Sequence, residues 1–102
     1  MESNAKNGRM ETWQVRAHGR VQGVGYRDAC VRRAQVLGVT GWVRNRVDGS
    51  VEATLQGSPE RLENMCHWLR VGVPAARVDR LEVTPVRAPS VPIDGFNRLP
   101  TA

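Results

Sequence analysis

Thr12-Trp13-Gln14-Val15-Arg16-Ala17-His18, then Gly19-Arg20-Val21-Gln22-Gly23-Val24-Gly25, then Tyr26-Arg27-Asp28-Ala29-Cys30, form the stretch on which the fold turns. Trp13, Val15 and Ala17 alternate with Gln14, Arg16 and His18. Successive side chains of a strand point to opposite faces, so this alternation predicts a strand with one buried face. The glycine-spaced segment sustains no such pattern and predicts a loop. From Tyr26 the period changes. Tyr26, Cys30, Ala34 and Leu37 fall on one helical stripe, with Arg27, Asp28, Arg32 and Arg33 off its centre. Gly38 stands where a helix gives way to a left-handed residue.

Working outward, Gly41 to Val47 reads as a second strand. Asp48-Gly49 signals a tight hairpin whose two turn positions both take positive φ. Val51, Ala53 and Leu55 then alternate with Glu52, Thr54 and Gln56, which predicts a third strand antiparallel to the second. Ser58-Pro59-Glu60 is a helix start: serine caps free amides, proline fits the first turn, and glutamate suits the positive end. Leu62, Met65, Cys66 and Leu69 mark its buried face, and Gly72 and Pro74 end it. Val78 to Val86 reads as a fourth strand, with Val78 out of phase with Leu81 and Val83. The order β-α-β-β-α-β predicts an α+β, ferredoxin-like βαββαβ sandwich, with two helices on one face of a four-stranded antiparallel sheet. Residues 1–11 read as a flexible arm. Residues 87–102 have no clear period and leave open a short edge strand near Phe96.

A chain of 102 residues makes one domain, and 40% apolar residues suffice for a core. No apolar run approaches the roughly 20 residues that span a bilayer. Met1 to Glu11 lacks the apolar stretch of a secretory signal, so a cytoplasmic location is expected, with no membrane partner. The two cysteines, Cys30 and Cys66, form no CxxC pair and have no histidines spaced for zinc; they are expected as buried free thiols, and no metal is expected. A net charge of +5 favours anionic partners without choosing among them. A nucleic-acid partner is not expected. Sheet-borne RNA modules stack bases on aromatics of the central strands, whereas this chain has one Phe and one Tyr, with Tyr26 on a helix. His18, on the polar side of the first strand, and His67, off the apolar stripe of the second helix, read as surface residues. Trp13, Trp42 and Trp68 read as packing residues.

The loop carries the chemistry. Glycines let the backbone aim several N–H groups at one point, and the helix behind adds unpaired amides and a positive dipole end. The pattern by itself leaves open both a phosphate site and a plain tight connection. It lacks the Gly-Lys-Ser/Thr ending of a nucleotide P-loop. Arg27, in the first helical turn, is placed either to grip two phosphate oxygens or to lie in solvent. Asn45 interrupts an apolar alternation between Val43 and Val47. Its carboxamide either holds a water for attack or sits at the edge of the hairpin.

Gly19-Arg20-Val21-Gln22-Gly23-Val24-Gly25-Tyr26-Arg27 and Gly41-Trp42-Val43-Arg44-Asn45 resemble the two signatures of acylphosphatases. The Asp48-Gly49 hairpin, Trp68-Leu69 before Gly72, and Ala76-Arg77-Val78 are similar to the same family, so the resemblance covers roughly residues 12–85 of a domain read as 12–99. It implies a cofactor-free hydrolase that splits acyl phosphates into a carboxylate and inorganic phosphate. It also implies that the backbone amides of Val21, Gln22, Gly23, Val24, Gly25, Tyr26 and Arg27 hold the phosphate, with Arg27 as catalytic arginine and Asn45 orienting the water. Gly25 stands where some members carry cysteine, so no regulatory thiol is expected there. The ending Phe96-Asn97-Arg98-Leu99-Pro100 departs from the family's Phe-x-Ile-Arg. A monomer is the expected state for this size.

Overall fold

The alternating segment forms strand β1, Glu11–Arg20, beginning one residue ahead of Thr12. The computed structural model describes residues 9–87 and 91–102. The expected arm over residues 1–11 therefore lies outside the described residues as far as residue 8. Helix α1 follows at Tyr26–Leu37, then β2 at Thr40–Asn45 and β3 at Val51–Gly57. Helix α2 spans Pro59–Val71, β4 spans Arg77–Pro85, and a short β5 covers Phe96–Arg98. The strand order is β4-β1-β3-β2-β5. The antiparallel β1–β3, β1–β4 and β2–β3 pairs give the ferredoxin-like arrangement.

The sheet has five strands, not the expected four. β5 adds parallel to β2, matching Gly41 to Phe96 and Val43 to Arg98. Beyond it the chain continues along β2: Leu99 N–H donates to Val43 O at 2.8 Å, and Ala102 N–H donates to Asn45 O at 3.1 Å. The outer edge of β2 would otherwise present free carbonyls, and the C-terminal segment satisfies them.

Both helices are built as their termini dictate. The Ser58 hydroxyl accepts from Arg61 N–H, Pro59 opens α2, and Gly38 closes α1 in the left-handed conformation. Tyr26, Cys30 and Ala34 of α1 meet Leu62, Met65, Cys66 and Leu69 of α2 over the inward side chains Val15, Ala17, Val43, Val51, Ala53 and Leu55. Truncating one such large buried side chain to alanine costs about 2–5 kcal/mol. Cys30 and Cys66 are buried free thiols.

The out-of-phase Val78 is explained by a bulge. Ala17 pairs with Leu81 and Gly19 with Val78, and the register shifts between His18 and Gly19, so Asp79 is the extra residue. Val78, Leu81 and Val83 thereby all pack against the core. The hairpin differs from the expected turn. Only Gly49 has positive φ, since no residue other than glycine does. Gly49 N–H donates to Arg46 O at 3.1 Å, and Arg46 N–H donates to Ser50 O at 2.9 Å. A turn at negative φ followed by one left-handed glycine makes a longer connection than the two-residue turn. It also ends β2 at Asn45 and leaves Val47 87% exposed.

Candidate active site

Strand β1 cannot run on past Arg20. Gly19 lies so close to β4 that a Cβ there would stand 2.3 Å from Arg77 O, a position only glycine fills. The chain then bends through Val21–Gly25, with Gly23 and Gly25 at φ 76° and 79°. Left-handed residues interspersed in a turn aim neighbouring N–H groups to one side. None of the backbone N–H groups from Val21 to Arg27 has an acceptor among the described residues. The first turn of α1 is likewise uncapped, because Gly25 has no side chain to offer. An unsatisfied run of amides at the positive end of a helix is a seat for an anion.

Several residues hold this loop in place. Val21 is buried in the core. Tyr26 is 2% exposed, and its hydroxyl donates to Leu69 O at 2.7 Å, pinning the start of α1 to α2. Burial pushes its phenol well above the ordinary value. Its side chain is thus structural, and only its amide faces the loop. The Gln22 carboxamide donates to Arg46 O and to Ser50 O, both at 2.8 Å. These two bonds tie the loop to the β2–β3 connection immediately after Asn45. The family resemblance implies only a backbone amide for Gln22. The side-chain role depends on residues 24 and 28 positions away, and no local pattern carries it.

Asn45 is the last residue of β2 and faces inward with Gly41 and Val43. It is 9% exposed, and its Oδ1 is buried with no partner among the described residues. A buried carboxamide oxygen without a donor is rare and costs on the order of 1–3 kcal/mol, so its presence asks for a reason. Arg27 occupies the first turn of α1 and makes no ion pair or side-chain hydrogen bond among the described residues. Other arginines do pair: Arg44 and Arg46 reach Glu52 at 2.9 and 3.2 Å, and Arg16 reaches Asp48 at 3.6 Å.

The remaining candidates fall elsewhere. His18 meets Glu82 at 3.0 Å across β4, a carboxylate that sequence proximity did not supply. That contact is the first cause holding the Glu82 carboxyl below its ordinary value. His67 is exposed on α2. A cavity of about 790 Å³ lined by Gly38, Thr40, Gln56 and Ser58 sits at the opposite ends of β2 and β3 and includes none of these site residues. No helix among the described residues is long and apolar enough to cross a membrane.

Fold and site together define a small α+β protein with a glycine-bent loop at a helix N-terminus, tied by one glutamine to the connection that follows a buried asparagine. The acylphosphatase family model matches residues 13–97. An acylphosphatase of Polaromonas naphthalenivorans is 60% identical over 95 residues, 93% of this chain and 94% of that protein. Acylphosphatase 1 of Ralstonia nicotianae is 64% identical over 87 residues, 85% of each chain. The crystal structure of acylphosphatase from Bacillus subtilis superposes with a TM-score of 0.82 at 30% identity, covering 87% of this chain and 98% of that one. The chain belongs to the acylphosphatase family and is an enzyme of the hydrolase class.

Proposed function

We propose that this chain hydrolyses acyl phosphates by in-line attack of a water on phosphorus, with the phosphate seated in the Val21–Arg27 amides. Arg27 grips the phosphate and Asn45 orients the water. The observation that carries the reading is the run of acceptor-free amides from Val21 to Arg27, held by Gln22 against the turn next to Asn45. Amides and a guanidinium fixed before substrate arrives stabilise charge on the transferring phosphoryl group without reorganising. A carboxamide oxygen accepts hydrogen bonds, so Asn45 Oδ1 can take one from the water while the water's lone pair faces phosphorus.

So few residues suffice because the substrate is a mixed anhydride. Its leaving group is a carboxylate with a conjugate-acid pKa of roughly 4 to 5, by analogy with side-chain carboxyls. Such a group departs unprotonated, and the step needs positioning and charge stabilisation rather than a general acid. The P–O bond to the acyl oxygen breaks with its electron pair going to the carboxylate, and the water oxygen forms the new P–O bond. The water's protons pass to phosphate oxygen and solvent. Recognition confined to the acyl-phosphate head gives broad tolerance for the acyl group. The enzyme is taken to act as a monomer in the cytoplasm, and sedimentation of the purified chain checks the first of these.

Benzoyl phosphate mixed with the purified protein and a chelator provides the test. Rapid loss of the anhydride is expected. Arg27→Ala should lower kcat/KM by about 100- to 1,000-fold or more, the usual effect of removing one preorganised charge donor, and should weaken phosphate inhibition as well. Asn45→Ala should lose turnover while inorganic phosphate still inhibits. Equal loss of phosphate binding in Asn45→Ala would remove its water-orienting role. Wild-type protein that binds phosphate without hydrolysing benzoyl phosphate would make it a binding domain instead.

A further inference from the structure

Asp28 is the third residue of α1, and a carboxylate there ordinarily stabilises a helix by folding back over its free N-terminal amides. In this chain that would block the amides proposed above to hold phosphate. The structure shows a different arrangement. Gly25 makes no side-chain cap, and the Asp28 carboxylate instead accepts from Arg98 on β5. Arg98 donates through its NH1 group to Asp28 Oδ1. Arg27, adjacent in α1, and Arg32, one turn on, both favour the Asp28 carboxylate electrostatically, and Arg27 is the one assigned to the substrate.

We infer that Arg98 is a positioning residue that holds Asp28 away from the loop, keeping the Val21–Arg27 amides and Arg27 open to the phosphate group of the substrate. This rests on the site reading given above. The pair is too exposed to serve stability much: the two side chains are 56% and 47% accessible, and ion pairs in such surroundings contribute little to folding. Its effect belongs to the anion site, where a misplaced carboxylate opposes a phosphate dianion at a helix N-terminus. The β5 segment then has a use beyond covering the edge of β2, because it delivers one cation to Asp28 in the first turn of α1.

The test compares Arg98→Met, which keeps the aliphatic stem, with Arg98→Lys and with the double variant Arg98→Met/Asp28→Asn. Benzoyl phosphate hydrolysis and inhibition by inorganic phosphate are read for each, with thermal midpoints measured alongside. Arg98→Met should raise KM and the phosphate inhibition constant about three- to fivefold, the scale of one charge at a helix end, with kcat within about twofold. Arg98→Lys should stay near wild type, and Asp28→Asn in the Met background should restore both constants. An inhibition constant unmoved by Arg98→Met, or a rise that persists in the double variant, overturns the role. The second result would assign Arg98 to the attachment of β5 instead. Arg27→Ala in the same assay keeps the two ideas apart. If that variant is inactive and Arg98→Met moves nothing, only the Arg98 inference falls. If Arg27→Ala hydrolyses normally, the site reading itself falls.

Discussion

At the scale of single residues, the buried Asn45 carries a conflict that can be measured. Its Oδ1 is enclosed without a partner among the described residues, so the folded chain bears a desolvation cost there. Asn45→Val keeps a β-compatible side chain of similar size and removes the orphaned oxygen. It should leave the thermal midpoint unchanged or raise stability by about 1 kcal/mol, while kcat falls at least 100-fold. A variant destabilised and still active would show that Asn45 serves folding. Gln22→Ala separates the loop from the 46–50 turn by deleting both of its bonds. The expected loss is about 1–2 kcal/mol of stability and roughly 10- to 100-fold in kcat/KM, since small displacements of positioned groups are costly. Asn45 and Arg27 were marked in the sequence by local patterns, a carboxamide in an apolar alternation and an arginine behind a glycine loop, which leave their roles open until the family resemblance assigns them. Gln22 and the His18–Glu82 contact were not, because their partners arrive only when distant strands pair.

At the scale of elements, legibility followed locality. Helix α2 was readable to its cap because Ser58, Pro59 and Gly72 are local signals. The phase break in β4 was visible, yet its cause was not, since the bulge opposite His18/Gly19 exists only in the pairing with β1. Strand β3 alternates as expected, but its polar side is buried too. Glu52, Thr54 and Gln56 are covered, with Gln56 Nε2 donating to Val91 O at 2.9 Å and Ile93 N–H donating to Gln56 Oε1 at 2.7 Å. Alternation reports the pleat and cannot report that Gln14, Arg44 and Arg46 reach over Glu52 and Thr54, or that the C-terminal segment reaches Gln56. The sequence leaves β5 open for the same reason, because three residues carry no period and its pairing is non-local. The bulge also makes a prediction. A Cβ at Gly19 would meet Arg77 O at 2.3 Å and Asp79 N at 2.8 Å, both backbone. Gly19→Ala must therefore push β4 away from β1 or strain the chain at φ 127°. A loss of about 2–3 kcal/mol is expected, seen as a lower urea midpoint. An unchanged midpoint would mean the two strands separate at no cost there.

The whole molecule has two stability limbs with different physics. The acid limb is the shallow one, because the carboxyls held below their ordinary values, Asp28, Asp48 and Glu82, are all exposed. Arg98 acts on Asp28, hydrogen bonds from Ser50 act on Asp48, and His18 acts on Glu82. A depressed carboxyl binds fewer protons in the folded chain than in the unfolded one. Its contribution is therefore complete above the ordinary values of 3.8 and 4.5 and is lost as pH falls through the lowered ones. On the alkaline side, burial pushes the Cys30 thiol up to about 12 and the Cys66 thiol up to about 11, from an ordinary 9.0, and raises the Tyr26 phenol as well. These groups stay protonated in the core while the unfolded chain ionises, so stability is full below pH 9.0 and falls as pH rises beyond it. Asp28 and Glu82 are held at the surface by partners whose charge salt screens, whereas Asp48 is held chiefly by neutral hydrogen bonds from Ser50. The thiols and the phenol are raised chiefly by desolvation, which salt does not relieve. Urea midpoints measured from pH 3 to 11 at low and high salt should therefore form a plateau between about pH 5 and 9. The acid limb should flatten in part in high salt and the alkaline limb should not. An alkaline limb that vanished with salt would place its origin in surface charge repulsion and not in the buried thiols, and one that survived Cys30→Ala undiminished would shift the assignment to Tyr26 and Cys66.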